Sequence, residues 1–172
     1  MPALPNDTTV ERIDWSGWVP GQKATLLFVV RGGQMLLIHK KRGLGAGKIN
    51  GPGGRLEPGE TAIEAAVRET REELGVDALG VSKSGELFFQ FIDGLSLHVE
   101  VFRAEDCRGE PRETDEAVPL WVGTDGIPYE RMWADDPYWL PLMLDRRPFR
   151  GYFVFDGDRL LDRRVLITEG AS

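Results

Sequence analysis

Three carboxylates, Glu69, Glu72 and Glu73, stand at i, i+3 and i+4 of a segment whose pattern predicts a helix. That spacing places all three within one turn of one face, where like charges repel by roughly a few tenths of a kcal/mol per pair. A cation between them turns the repulsion into a binding site. Oxygen-only ligands suit a hard divalent ion, Mg²⁺ or Mn²⁺, better than zinc. Arg68 lies four residues before Glu72 and is placed to hold that carboxylate. Taken alone, such a patch is more simply a solvated acidic helix face with one ordinary Arg–Glu pair, so the surrounding residues must decide.

The helix that would carry these groups is predicted over residues 61–74. Thr61 and Glu64 form a capping box, Ile63, Ala66, Val67, Thr70 and Leu74 follow helical spacing, and Gly75 stands where a C-terminal cap is expected. Ahead of it, ATLLFVV and QMLLIHK flank Arg31-Gly32-Gly33, a hairpin signature. Residues 43–54, GLGAGKINGPGG, form a glycine-rich loop able to bring backbone close to a phosphate. Neither Ser nor Thr follows Lys48 and the GxGxxG spacing is absent, so this is neither a Walker loop nor a dinucleotide fingerprint. A plain flexible turn is an equally good reading of the loop by itself.

Downstream, GELFFQFI and SLHVEVFR flank Asp93-Gly94, VPLWV reads as a short strand, and GYFVF and RLLDRRVLI close around Asp156-Gly157. A second helix is expected from Asp136-Pro137, carrying Trp139, Leu140, Leu142, Met143 and Leu144. The sum is an α/β (or α+β) fold with a mixed sheet and few helices. Residues 1–23 read as a leader anchored by Trp15 and Trp18, and residues 24–172 as the domain.

Composition narrows the partners. A chain of 172 residues with 41% hydrophobic content fits one domain. Its net charge of −7 is a poor match for a nucleic-acid polymer and leaves a small anionic ligand in need of a cation. The single cysteine, Cys107, rules out an internal disulfide and a Cys-rich zinc module, and is expected to be a buried, inert thiol. His39 and His98 lie inside strand runs without a partner histidine at metal spacing and read as sheet residues. No apolar run approaches the ~20 residues of a membrane span and no secretion signal follows Met1, so a cytoplasmic protein without a membrane partner, more simply a monomer, is expected.

From Gly54 the chain reads G-RLEPG-E-TAIEAAV-RE-TR-EE-L-G-V, which resembles the Nudix box; Gly54, Glu60, Arg68, Glu69, Glu72, Glu73 and Gly75 all match. At typical residue frequencies, seven coincident matches at one start arise on the order of once in a hundred million. Thr70 departs from the pattern, which prefers an aliphatic residue there. The resemblance implies a mixed sheet sandwiched between helices, with the box as loop, helix and loop. It also implies Mg²⁺ (or Mn²⁺) held by Glu69, Glu72 and Glu73 with the Gly53 carbonyl. Glu60 and Arg68 would orient those ligands, and Glu116 would serve as a further ligand or as the base. The implied reaction splits a nucleoside triphosphate into monophosphate and pyrophosphate.

Over about residues 24–167 the resemblance narrows to the mammalian-type 8-oxo-dGTP diphosphatases of that family, through KKRGLGAGKINGPGG, the ETDE segment, RMWADDPYWLPLML and FRGYFVF. It implies that Asp135 and Asp136 face the base edge, Trp133 stacks on the base and Asn50 bonds to it. Thr25, Lys40, Phe89 and Trp139 fall at its remaining pocket positions, and Gly53 and Gly54 are counted among the substrate-binding residues. One aspartate must stay protonated to donate to a purine carbonyl oxygen. By themselves Asp135-Asp136-Pro137 read as helix-start chemistry. Leu44, Ile49 and Pro52 stand where other members carry aromatic residues, which leaves 2-hydroxy-dATP, a methylated guanine and ordinary nucleotides open as substrates. Two rival readings remain: a Nudix pyrophosphatase of another diphosphate such as ADP-ribose, and a Nudix module that senses a nucleotide without cleaving it.

Overall fold

The structure is a computed structural model that describes residues 2–168. Met1 of the leader and the last residues of the expected domain, 169–172, lie outside the described residues. The strands are β1 (Gln22–Arg31), β2 (Gln34–Lys40), β3 (Ile49–Asn50), β4 (Gly53–Arg55), β5 (Asp77–Phe91), β6 (Ser96–Arg108), β7 (Ala117–Gly123), β8 (Phe149–Asp156) and β9 (Arg159–Ile167). Two α-helices accompany them, α1 (Ala62–Leu74) and α2 (Asp136–Leu144). Hydrogen-bonded neighbours run β3-β2-β1-β6-β5-β8-β9, with β4 on β1 and β7 on β2, so the sheet is mixed as expected. The chain divides into two compact units, one holding residues up to Lys23, 84–99 and those from Ala134 onward, the other residues 24–83 and 100–133.

In the second of these units, β1 and β2 turn at Gly32 and Gly33, whose φ of 57° and 75° glycine alone adopts cheaply. Leu27–Val30 and Met35–Ile38 are buried without alternation, the pattern of strands covered on both faces. Strand β7 pairs with β2 along its length, and β4 pairs with β1 so that Thr25 faces Gly54 and Leu26 faces Gly53. Helix α1 carries both halves of the Thr61–Glu64 capping box and ends on Gly75 at φ 74°. Its buried face is Ala65, Ala66, Thr70, Glu73 and Leu74. Ala66 and Leu74 pack with Leu27, Val29, Leu36 and Ile38.

One sequence expectation about this unit changes. Ile63 is 42% exposed, because the inward stripe runs through the small residues Ala65 and Ala66. Thr70 is fully buried despite its hydroxyl, which donates to the Ala66 carbonyl at 2.8 Å and so is satisfied inside its own helix.

In the other unit, residues 85–91 of β5 pair in parallel with β8, and β8 pairs antiparallel with β9 through a register shift at Val154/Phe155. The leader is fastened here: the Val10 amide donates to Asp162 Oδ2 at 2.7 Å, and the Trp18 indole donates to Gln90 Oε1 at 2.8 Å. Trp15 sits 4.9 Å from the Tyr152 ring, edge-on. Strand β5 starts at Asp77, well before the apolar run that announced it in sequence. Residues 77–84 are half polar and interrupted by Gly80 at φ 64°, and of their apolar side chains Ala78 and Val81 pack against the core of the second unit.

Candidate active site

Carboxylate oxygens of Glu69, Glu73 and Glu116 all lie within 4.8 Å of one another. Two come from the last turns of α1 and the third from the segment just before β7. Strand β4 backs the cluster: the Gly53 amide donates to Glu73 Oε1 at 3.2 Å. A Cβ on Gly54 would stand 2.5 Å from the Glu69 carboxyl, and one on Gly53 would overlap the Thr25 carbonyl oxygen, so both positions need glycine for close approach rather than for φ. We therefore expect Gly54→Ala to push Glu69 aside and cut turnover at least about tenfold. Wild-type rates from a folded Gly54→Ala protein would contradict this placement.

Arg68 organises the outer edge of the cluster. Its guanidinium donates to both Glu60 oxygens at 2.6 and 2.9 Å, to Glu69 Oε1 at 2.9 Å, to Glu72 Oε2 at 3.1 Å and to the Arg55 carbonyl at 3.1 Å. The Arg68 guanidinium, helped by the Glu57 amide, holds the Glu60 carboxyl down at about 2. Glu72, half exposed, stays on Arg68 and outside the three-carboxylate group, whereas the sequence placed it on equal terms with Glu69 and Glu73.

Burial dominates the electrostatics of Glu73. It lifts that carboxyl to about 8, with Glu69 and Glu116 adding to the lift and the Gly53 amide and Lys40 opposing it. Glu69 is also raised, chiefly by burial, against the pull of Arg68. Two of the three converging carboxylates, Glu69 and Glu73, thus sit under more desolvation and mutual repulsion than the local cations relieve. An oxygen-only donor set in that condition fits a hard divalent cation.

Glu116 reaches this group because the Glu113–Glu116 segment is tied to the start of the glycine-rich loop. Its carboxylate meets Arg42 at 3.2 Å, and its carbonyl accepts the Lys41 amide at 3.0 Å. Lys41 Nζ in turn contacts Glu113 at 2.6 Å and the Thr114 carbonyl at 2.7 Å. Sequence reading found Glu116 but missed Lys41 and Arg42, whose only signal is a basic run flanking the glycine loop. The loop is folded tightly on itself, with the Gly47 amide donating to the Lys40 carbonyl at 2.8 Å and the Lys40 amide to the Lys48 carbonyl at 3.0 Å.

In the same unit, Lys48 Nζ stands 5.2 Å from the centre of the Trp133 ring. A Cβ on Gly45 would come within 2.7 Å of the Trp133 indole nitrogen. Asn50 lies on β3 opposite Ile38, its Oδ1 accepting the Gly51 amide at 2.9 Å. Lys40 ends β2, half-buried. Thr25 is buried, and its hydroxyl has no hydrogen-bond partner among the described residues.

In the other unit, Asp135 and Asp136 are adjacent and almost wholly buried. Asp135 Oδ2 accepts the Trp139 indole N–H at 2.7 Å, while Asp136 Oδ2 has no hydrogen-bond partner among the described residues. Asp135 makes no side-chain cap bond at the head of α2, which sets aside the plain helix-start reading of its carboxylate. Trp139 stacks on Phe149 at 5.6 Å, and Phe89 stacks on Phe153 at 5.4 Å. Burial raises both carboxyls: Asp135 to about 6, and Asp136 well above the usual range, because the neighbouring Asp135 adds to the burial. A raised folded-state value means that ionisation costs stability as pH rises. The ligand-free protein should thus lose stability to Asp135 between its unfolded value of 3.8 and about 6. Asp135→Asn should flatten the denaturation midpoint across that window. An unchanged profile would argue against a buried, titrating Asp135.

A family model for the NUDIX domain matches residues 20–143. The chain belongs to the Nudix family. Among curated relatives it is 49% identical to the oxidized purine nucleoside triphosphate hydrolase of Danio rerio, covering 77% of this chain and 86% of the relative. The Mus musculus protein of the same name is 41% identical over 80% of this chain and 89% of its own. Among solved structures, a mutator MutT protein from Bacillus halodurans superposes with a TM-score of 0.75 at 28% identity, covering 84% of this chain and 97% of that one. The mixed sheet with few helices, and α1 between its flanking loops, are thus those of a Nudix protein.

Proposed function

We propose that this Nudix hydrolase cleaves oxidised purine nucleoside triphosphates, such as 8-oxo-dGTP and 2-hydroxy-dATP, to the monophosphate and pyrophosphate. The observation that carries the chemistry is the convergence of Glu69, Glu73 and Glu116 from two separate segments of chain. Mg²⁺, with Mn²⁺ as substitute, would be held by Glu69, Glu73 and Glu116 with the Gly53 carbonyl, Glu72 standing beside them on Arg68, and would supply when bound charge neutralisation at the phosphates and a more acidic water.

The chain's own residues do the rest. Arg68 holds Glu69 and Glu72 in orientation and is itself locked by Glu60. The glycines of β4 let backbone approach without a side chain in the way. As water adds to phosphorus and the P–O bond to pyrophosphate breaks, the water's proton passes to a carboxylate of the cluster.

For substrate choice we assign base reading to Asp135 and Asp136, with Trp139 and Phe89 among the substrate-binding residues. Thr25, Lys40, Asn50 and Trp133 we assign to substrate contact, and Gly53 and Gly54 to the phosphates. Support comes from the buried, adjacent carboxyls: with Asp136 raised well above the usual range and Asp135 to about 6, the pair offers a donor and an acceptor side by side near neutral pH. The names of the two relatives point the same way.

We take residues 24–172 as the hydrolase domain with 1–23 as its leader, acting as a cytoplasmic monomer on a small-molecule nucleotide rather than a nucleic-acid polymer. No helix among the described residues is long and apolar enough to cross a membrane. Product analysis tests the reaction: 8-oxo-dGTP should yield monophosphate and pyrophosphate only when a divalent ion is added. Release of inorganic phosphate, or no cleavage, would overturn it.

A further inference from the structure

Glu116 and the α1 carboxylates belong to different segments, so something must fix their separation. One hydroxyl spans the gap. Thr114 Oγ1 donates to the main-chain carbonyl of Glu73 at 2.8 Å, and the same oxygen accepts the main-chain N–H of Glu116 at 3.2 Å. The Thr114 amide closes the turn on the Ala117 carbonyl at 3.0 Å, where β7 begins. Two residues earlier, the Arg112 amide donates to the Leu74 carbonyl at 2.9 Å, so this segment also satisfies the last turn of α1.

We infer that Thr114 is a positioning residue for the metal site, its hydroxyl joining the backbone of Glu73 to that of Glu116 so that the two carboxylates meet at one cation. The inference rests on the reading of Glu69, Glu73 and Glu116 as cation ligands. The chemistry needs a group that donates and accepts through one atom, which a hydroxyl does and a methyl or an ammonium does not. Arg42 and Lys41 hold the outer side of the same segment through exposed, screened contacts, whereas the Thr114 bridge is part-buried and main-chain directed. Residues that orient metal ligands typically alter metal affinity by about ten- to a hundredfold when removed.

The test is Mn²⁺ binding to the full chain, followed by electron paramagnetic resonance, for wild type, Thr114→Val, Thr114→Ser and Glu116→Gln, with thermal denaturation to show that each is folded. Thr114→Val is expected to bind Mn²⁺ about tenfold more weakly. Its kcat should approach wild type at saturating metal, and Thr114→Ser should stay within about twofold of wild type in affinity, because it keeps the hydroxyl. Wild-type affinity in Thr114→Val beside a weakened Glu116→Gln would overturn the role of Thr114 alone. A serine variant as weak as the valine variant would also overturn it. Wild-type affinity in both Thr114→Val and Glu116→Gln would overturn the metal reading beneath it.

Discussion

Glu73→Gln is expected to lower turnover of the nucleotide by at least about a hundredfold while leaving the fold intact. The substitution keeps volume and keeps an oxygen to accept the Gly53 amide, now at 3.2 Å from Oε1. What it removes is one negative charge from a group of three carboxylates within 4.8 Å. The stability of the metal-free protein should move the other way. Burial raises the folded-state value of Glu73 to about 8 from 4.5, so ionising it costs stability progressively as pH rises from 4.5 through about 8. Glutamine escapes that cost. The metal-free variant should therefore match or exceed the wild-type denaturation midpoint at pH 8 while its catalysis collapses. Turnover near wild type would remove Glu73 from the metal site, and a large loss of stability would make its role structural.

Asp136→Asn is expected to reduce the preference for an oxidised purine over its unmodified counterpart by roughly tenfold or more, with turnover of ordinary dGTP changed far less. A buried hydrogen bond to a base edge that is lost or mismatched costs about 1–3 kcal/mol, or roughly five- to a hundredfold in discrimination. Asp135→Asn should act in the same sense and also disturb the acceptor of the Trp139 indole N–H. The phosphate chemistry rests on other residues, so kcat for unmodified nucleotides is the internal control. Side-by-side steady-state kinetics measure both. Equal losses on every nucleotide would show that the aspartates support the fold or the chemistry rather than base choice.

Much of this was legible in sequence because it was local. The capping box, the i, i+3, i+4 carboxylates and the Arg68–Glu72 spacing are properties of a single helix, and α1 realises each of them. Adjacent aspartates before a proline were equally visible, but only the fold buries them and joins Asp135 to Trp139. The inequality among the glutamates was not legible: Glu73 faces β4 and Glu72 faces Arg68, a difference set by strand pairing between residues far apart in sequence. For the same reason Thr114 carried no signal. Its partners lie on α1 and across a turn, and a lone threonine in ETDEAV looks like any loop hydroxyl. The first half of β5 was hidden because its short apolar run is broken by Gly80 and followed by Ser82, Lys83 and Ser84.

Mg²⁺-dependent pyrophosphate release measured side by side for 8-oxo-dGTP, dGTP, 2-hydroxy-dATP and ADP-ribose decides whether this protein is an oxidised-purine hydrolase. kcat/KM for the oxidised purines is expected to exceed that for dGTP, with ADP-ribose turned over far more slowly. Faster turnover of ADP-ribose than of any oxidised purine, or no divalent-dependent release from any of the four, would contradict that reading.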